Sequence, residues 1–223
     1  MNSYLLLLTA VLVISLVLIF QAKATAFWKA ILPAVFGTGA IFITSSLLLS
    51  GLKIVSYDLD AFVGGDSSGI PYEIIASAFV FPFAGIALYN FLNIRYPAQT
   101  YEKYSLALSN ILMGLCIAMI FFAYSKWYPV FTFALVLIVL FLVEYKNKIR
   151  FMYRFYRAYL VALIAYLVVS VPFHYANMIR YNEVHTVKFR LIYVPFESYF
   201  YFFSMVLIGI LLFEIFKKKY KLA

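Results

Sequence analysis

Apolar residues run almost unbroken through most of this chain, and polar ones gather in short interruptions between the runs. A helix needs about 20 apolar residues to cross ~30 Å of hydrocarbon. Runs of that length predict helices at about 4–20, 29–50, 71–93, 104–124, 128–144, 156–176 and 194–216. In lipid every backbone polar group must be bonded within its own segment, so such runs fold as helices. The fourth and fifth are separated only by Ser125, Lys126 and Trp127, a tight hairpin, and Trp127 and Tyr128 suit an interfacial aromatic belt. Two longer loops, about 51–70 and 177–193, hold most of the remaining chain; the first carries Gly64, Gly65, Ser67, Ser68 and Gly69, a turn-forming composition. The pattern predicts an all-α polytopic membrane helix bundle, with 1–223 as one membrane domain.

Composition agrees. Hydrophobic residues make up 66% of the chain and charged ones 12%, with mean hydropathy +0.96. A soluble domain carries roughly a quarter charged residues. The run from Tyr4 to Phe20 has no basic region before it and no small-x-small cleavage site, so it is expected to be a retained helix. Cys116 is the one cysteine, which excludes an internal disulfide and a cysteine-based metal site.

The formal charge of +9 is unevenly placed. Lys53, Lys126, Arg180, Lys188 and Arg190 fall on one side of the predicted bundle. Lys23, Lys29, Arg95, Lys103, Lys146, Lys148, Arg150, Arg154, Arg157, Lys217, Lys218, Lys219 and Lys221 fall on the other. The positive-inside rule makes the second side cytoplasmic, with the N-terminus outside and the C-terminus inside a cytoplasmic membrane. Basic loops facing anionic lipid explain the charge without nucleic acid as a partner.

The chain also repeats itself at an ungapped offset of 124 positions. Tyr4, Ala10, Ile14, Leu16 and Leu18 recur as Tyr128, Ala134, Ile138, Leu140 and Leu142. Pro71, Glu73, Phe79, Gly85 and Leu88 recur as Pro195, Glu197, Phe203, Gly209 and Leu212. Apolar bias alone produces some matches, but Pro, Glu and Gly matching in one register point to a repeat. Repeat A, 1–97, and repeat B, 128–221, each hold three helices, joined by a connecting helix at 104–124. Three helices plus one return the chain to its starting side, so the repeats are expected to be parallel.

Chemistry concentrates where each repeat opens its last helix, Ile70-Pro71-Tyr72-Glu73 and Val194-Pro195-Phe196-Glu197. Proline at a helix start and glutamate in its first turn are also ordinary helix grammar. Ionisable side chains at membrane depth are nonetheless functional candidates, and a carboxylic acid in an apolar site can donate a proton to a weak base.

These two segments resemble the membrane lycopene cyclase domain family of the carotenoid pathway. Its members are built from two related three-helix units carrying Pro-x-Glu at the head of the last helix. The second match continues as Tyr199-Phe200-Tyr201-Phe202-Phe203 and ends Leu212-Phe213-Glu214; the first runs on to Leu88-Tyr89-Asn90-Phe91-Leu92-Asn93. Family members often carry a second acid after the glutamate, where this chain has Ile74 and Ser198. The second helix of family members often ends in an aromatic and an acid, where this chain reads Ile43-Thr44-Ser45-Ser46.

The resemblance implies acid-catalysed, redox-neutral closure of a linear carotenoid or isoprenoid end group to an ionone ring, an isomerase reaction. Glu73 and Glu197 are then the catalytic acid/base residues, and the cofactor expectation is none. Pro71, Tyr72, Pro195, Phe196, Tyr199, Phe200 and Phe203 are the expected substrate-binding residues, because aromatic faces stabilise cations. The partners are then a hydrophobic polyene and the lipid bilayer, and a homo-oligomer is compatible. The alternatives are a cation- or proton-coupled transporter and a non-catalytic membrane partner. His174 and His185 lack ligand-spaced companions for a metal, and Asp58, Asp60 and Asp66 read as solvated loop acids. No Gly-x-Gly-x-x-Gly supports a flavin site, and no lysine between Tyr193 and Phe216 supports a retinal Schiff base. Glu214 is expected to pair with lysines at the cytoplasmic interface.

Overall fold

The computed structural model of the protein describes residues 3–22, 24–97, 102–146 and 149–222. Lys23 and Lys148 of the charge pattern lie outside these residues. Among the described residues seven helices are long and apolar enough to cross a membrane. They are α1 (Ser3–Gln21), α2 (Trp28–Gly51), α3 (Tyr72–Arg95), α4 (Glu102–Phe122), α5 (Trp127–Phe141), α6 (Met152–Tyr175) and α7 (Phe196–Lys219), with a π-helical extension of α5 over Leu142–Lys146. Several boundaries shift by up to four residues from those the apolar runs predict. α6 begins four residues early because its first turns carry Arg154 and Arg157, whose long stems reach past the hydrocarbon. α7 begins at Phe196 because Val194 and Pro195 are held in a hairpin, and it runs on through Lys217–Lys219, where cations suit the negative end of the helix dipole.

The repeat is visible in the backbone. α2 and α6 begin and end at positions 124 apart, and so do α3 and α7. Short strands follow the same offset: β1 (Val55–Tyr57) matches β4 (Ile179–Tyr181), while β2 (Asp66–Ser67) and β3 (Ile70–Pro71) match β5 (Arg190–Leu191) and β6 (Val194–Pro195). β1 and β4 pair antiparallel with Ser56 opposite Arg180, its own repeat equivalent. A ladder centred on an equivalent pair lies on a two-fold axis.

The helix contacts obey the same axis. α2 packs on α7 as α6 packs on α3, α1 packs on α3 as α5 packs on α7, and α3 crosses α7 at the centre. There a Cβ on Gly85 would stand 2.7 Å from Val206, and one on Gly209 would stand 3.3 Å from Pro82, the repeat equivalent of Val206. Small residues are what let membrane helices approach this closely, since lipid gives no hydrophobic drive to pack. The repeats are therefore parallel three-helix units about an axis along the bundle. α4 joins them from outside and buries only Ser109, Met113 and Cys116. The end bearing the strands is called the loop end below, and the end bearing Lys217–Lys219 the basic end.

Candidate active site

α3 and α7 each start on a proline in extended conformation, Pro71 at φ −57° and ψ 141° and Pro195 at φ −56° and ψ 139°. Proline suits this place because its missing N–H would have no helical partner. Each proline also closes a hairpin, pairing with Asp66 or Arg190. The hairpin folds the preceding loop back over the first turn of its helix. Its amides then descend on the glutamate. Val63 and Gly64 both donate to Glu73 Oε1 at 3.0 Å, and Val187 donates to Glu197 Oε1 at 2.6 Å.

Glu73 is 3% exposed and Glu197 0%. Helix-start grammar alone would leave a first-turn carboxylate in water; here both are sealed under loops. The second oxygen of each, Oε2, is buried and has no hydrogen-bond partner among the described residues. Such orphans are rare in folded proteins and call for a reason.

A cavity of about 100 Å³ lies on the axis, lined from both repeats by Tyr4, Tyr57, Ser77, Tyr128, Tyr181 and Tyr201 among others. Ser77 and Phe81 follow Glu73 at four-residue steps, as Tyr201 and Met205 follow Glu197, and all four line the cavity. The carboxyls thus stand one helical turn toward the loop end, at the cavity's rim and not in its wall. The overhanging loops, which capture each carboxyl, hold them there.

Repeat B adds a chain of hydroxyls. Tyr128 hydroxyl meets Ser198 Oγ at 3.0 Å, Ser198 Oγ donates to Tyr181 hydroxyl at 3.2 Å, and Tyr181 hydroxyl meets His174 Nε2 at 3.4 Å. His174 Nδ1 lies 2.7 Å from the Ser170 carbonyl, which can only accept, so Nδ1 carries the proton and Nε2 keeps its lone pair. Burial pushes the Tyr181 phenol above its usual value; bonds from Ser198 and Tyr128 oppose this, and the negative charge of Glu197 adds to it. Glu197 therefore lies within electrostatic reach of this chain.

The expected substrate residues divide. Phe196, Tyr199, Phe200 and Phe203 line a pocket of about 310 Å³ between α7, α6 and α4. Tyr201 and Phe202, from the same aromatic run, face the axial cavity. A helical period splits any such run between two faces. Rings form the wall between these spaces: Tyr166 stacks on Phe202 at 4.3 Å, Phe202 lies 5.9 Å from Tyr159, and Tyr166 meets Tyr199 at 6.4 Å. Pro71 and Pro195 are buried and shape the helix starts. Tyr72 departs from its expected role: it is 52% exposed and outside both spaces, because its ring stands over Gly65 on the outer side of the hairpin.

Glu214 also departs from the expected pairing with lysines. It is buried and accepts a hydrogen bond from Tyr89 across the α3–α7 contact instead of meeting lysines. Asp58 is not merely solvated, since it pairs with Arg180 at 2.9 Å between the two long loops. Sequence reasoning weighed His174 only as a metal ligand. The signal it passed over is that Tyr128 and Tyr181 repeat Tyr4 and Tyr57, whereas His174 and Ser198 replace Ser50 and Ile74.

A family model described as lycopene cyclase matches residues 2–92 and 125–216. The two matches fall on the two three-helix units and leave out α4. No curated protein and no solved structure matches the chain.

Proposed function

The chain belongs to the lycopene cyclase family, and from that premise we propose that it closes the end group of a linear carotenoid or isoprenoid by proton transfer alone. The observation that carries this is the buried, unpartnered Oε2 of Glu197, in electrostatic reach of a hydroxyl chain that ends at His174 Nε2. Glu197 donates a proton from Oε2 to the terminal alkene carbon. A C–H bond forms there and leaves a tertiary carbocation. The electrons of a neighbouring double bond then form the ring's C–C bond. A ring C–H proton leaves to His174 Nε2, and its electron pair restores a double bond. Formula and oxidation state are unchanged. The hydroxyls of Tyr181 and Ser198 carry the proton back toward Glu197. A positioned acid or base of this kind contributes about 10²–10⁴-fold to rate.

The polyene approaches from lipid through the 310 Å³ pocket, where Phe196, Tyr199, Phe200 and Phe203 hold its chain. Its end group passes the wall of Tyr166 and Phe202 into the axial cavity. At about 100 Å³ that cavity is smaller than the ~150 Å³ that admits benzene in an engineered apolar core, so these rings must rotate to admit substrate. Their faces then lie against the carbocation. Glu73 shares the fold of the site, and its loop holds it as the structural counterpart. The greater positive charge at the basic end supports a cytoplasmic C-terminus.

Expression in a host that accumulates lycopene tests the proposal. A cyclic carotene is expected by chromatography without added flavin. Unchanged lycopene beside well-expressed protein would remove lycopene as the substrate.

A further inference from the structure

α4 leaves a cleft against α6 whose two halves differ in chemistry. At the basic end is a cavity of about 280 Å³ lined by Lys103, Arg150 and Arg154, by the carboxylates Glu102 and Glu144, and by the backbone that opens α6. From it an apolar groove of about 550 Å³ runs along Tyr104, Ala107, Leu108, Ile111, Tyr156 and Leu160. Ser105 and Tyr153 line both, so the two spaces are continuous.

The charges in the cavity do not cancel one another. Glu144 is buried and already served, accepting from Ser109 and facing Arg150 at 3.8 Å. Glu102 is exposed at the rim. Neither Lys103 nor Arg154 takes part in an ion pair among the described residues; Lys103 lies 5.0 Å from the ring of Tyr104 and Arg154 6.0 Å from that of Tyr89. The start of α6 adds the positive end of a 24-residue helix, with no side-chain cap. Basic pockets between membrane helices are the sites where lipid phosphates bind.

We infer that this cleft binds one anionic glycerophospholipid, its phosphate between Lys103 and Arg154 and an acyl chain in the groove. From Met152, where α6 opens, to Leu160 the helix rises about 12 Å, most of the ~15 Å depth of one leaflet of a ~30 Å hydrocarbon core. A polyene has no charged end to place in the cavity, whereas a phospholipid fits both halves. The bound lipid fills the seam between α4 and α6, which protein side chains leave open. The groove shares Leu108, Tyr156 and Leu160 with the pocket proposed for polyene entry, but the lipid site is argued from the basic cavity and not from the proposed chemistry.

Native mass spectrometry of the purified chain in mild detergent tests it, titrated separately with phosphatidylglycerol, phosphatidylcholine and inorganic phosphate. The wild type should retain one phosphatidylglycerol at least about tenfold more tightly than phosphatidylcholine. Lys103→Gln with Arg154→Gln should abolish the preference while keeping the Arg150–Glu144 pair. Ala107→Trp should block the groove and weaken phosphatidylglycerol without altering the elution volume of the folded protein. Equal retention of the two lipids would overturn the inference, as would a preference that survives the double variant. Displacement of phosphatidylglycerol by millimolar phosphate, with Ala107→Trp unaffected, would make the site one for free anion and overturn the lipid assignment.

Discussion

Glu73 and Glu197 occupy the same place in two copies of one frame, yet they are wired differently. Glu73 receives two amides, and Gly64 lies so close that a Cβ there would stand 3.3 Å from its Oε2. Glu197 receives one amide, and the position equivalent to Gly64 is Lys188, in the left-handed region at φ 66°. Two amides against one tether the Glu73 carboxyl in place more tightly than that of Glu197. Beyond the carboxyl, both repeats keep their phenols, Tyr4 and Tyr57 in one, Tyr128 and Tyr181 in the other. Only repeat B has the link: Ser198 where repeat A has Ile74, and His174 where it has Ser50. Duplication supplied a symmetric scaffold, and two differences give one half a hydrogen-bonded chain that the other lacks.

The sharpest way to break this comparison is to treat both glutamates alike. Glu197→Gln keeps size and hydrogen bonding but removes the proton, and should lower cyclisation about 10²–10⁴-fold. Glu73→Gln should cost about tenfold or less, the amide still accepting from Val63 and Gly64. Product yields per unit of membrane protein decide it, and equal losses would mean that both halves act. His174→Gln comes next, at about 10²-fold, the lower end of the effect of a positioned base. A His174 variant with full activity would remove the base from the scheme.

The helices and the repeat were legible in the sequence for a simple reason: a lipid-crossing helix is a long run, and an ungapped offset carries the bounds of α2 and α3 onto α6 and α7. The Pro-x-Glu frame was legible too, because Pro71 and Glu73 act within one turn. The hydroxyl chain was not, since Tyr128, His174, Tyr181 and Ser198 come from four separate elements and meet only after folding. The division of Tyr199–Phe203 between two faces was open to a helical reading, but adjacency to Glu197 drew attention instead. Nothing in the order of residues foretold that loop amides would draw both carboxyls to the cavity rim, because that depends on the hairpins at Pro71 and Pro195.

Ser198→Ile would give repeat B the residue of repeat A. It removes one neutral bond on each side of the serine, worth about 1 kcal/mol apiece, and should slow cyclisation about 30-fold without loss of folded protein. The reverse change, Ile74→Ser, should not raise activity, because Ser50 offers no base to receive the proton. A gain with Ile74→Ser alone, measured as bicyclic product, would show that repeat A needs only the serine.

The smallest contrast lies at the α3–α7 crossing, away from the chemistry. A methyl on Gly85 meets Val206 Cγ1 at 2.7 Å, inside any tolerated contact, and β-branched valine in a helix has essentially one rotamer with which to yield. A methyl on Gly209 meets Pro82 Cβ at 3.3 Å, which a shift of a few tenths of an ångström relieves. Gly85→Ala should therefore destabilise by about 1–3 kcal/mol, the range for overpacked cores, and Gly209→Ala by less than about 1 kcal/mol. Thermal unfolding of both variants in the same detergent, followed by circular dichroism, reads the difference. Equal shifts would mean that the crossing relaxes symmetrically about the axis. A larger shift for Gly209→Ala would place the tighter contact on the other side of it.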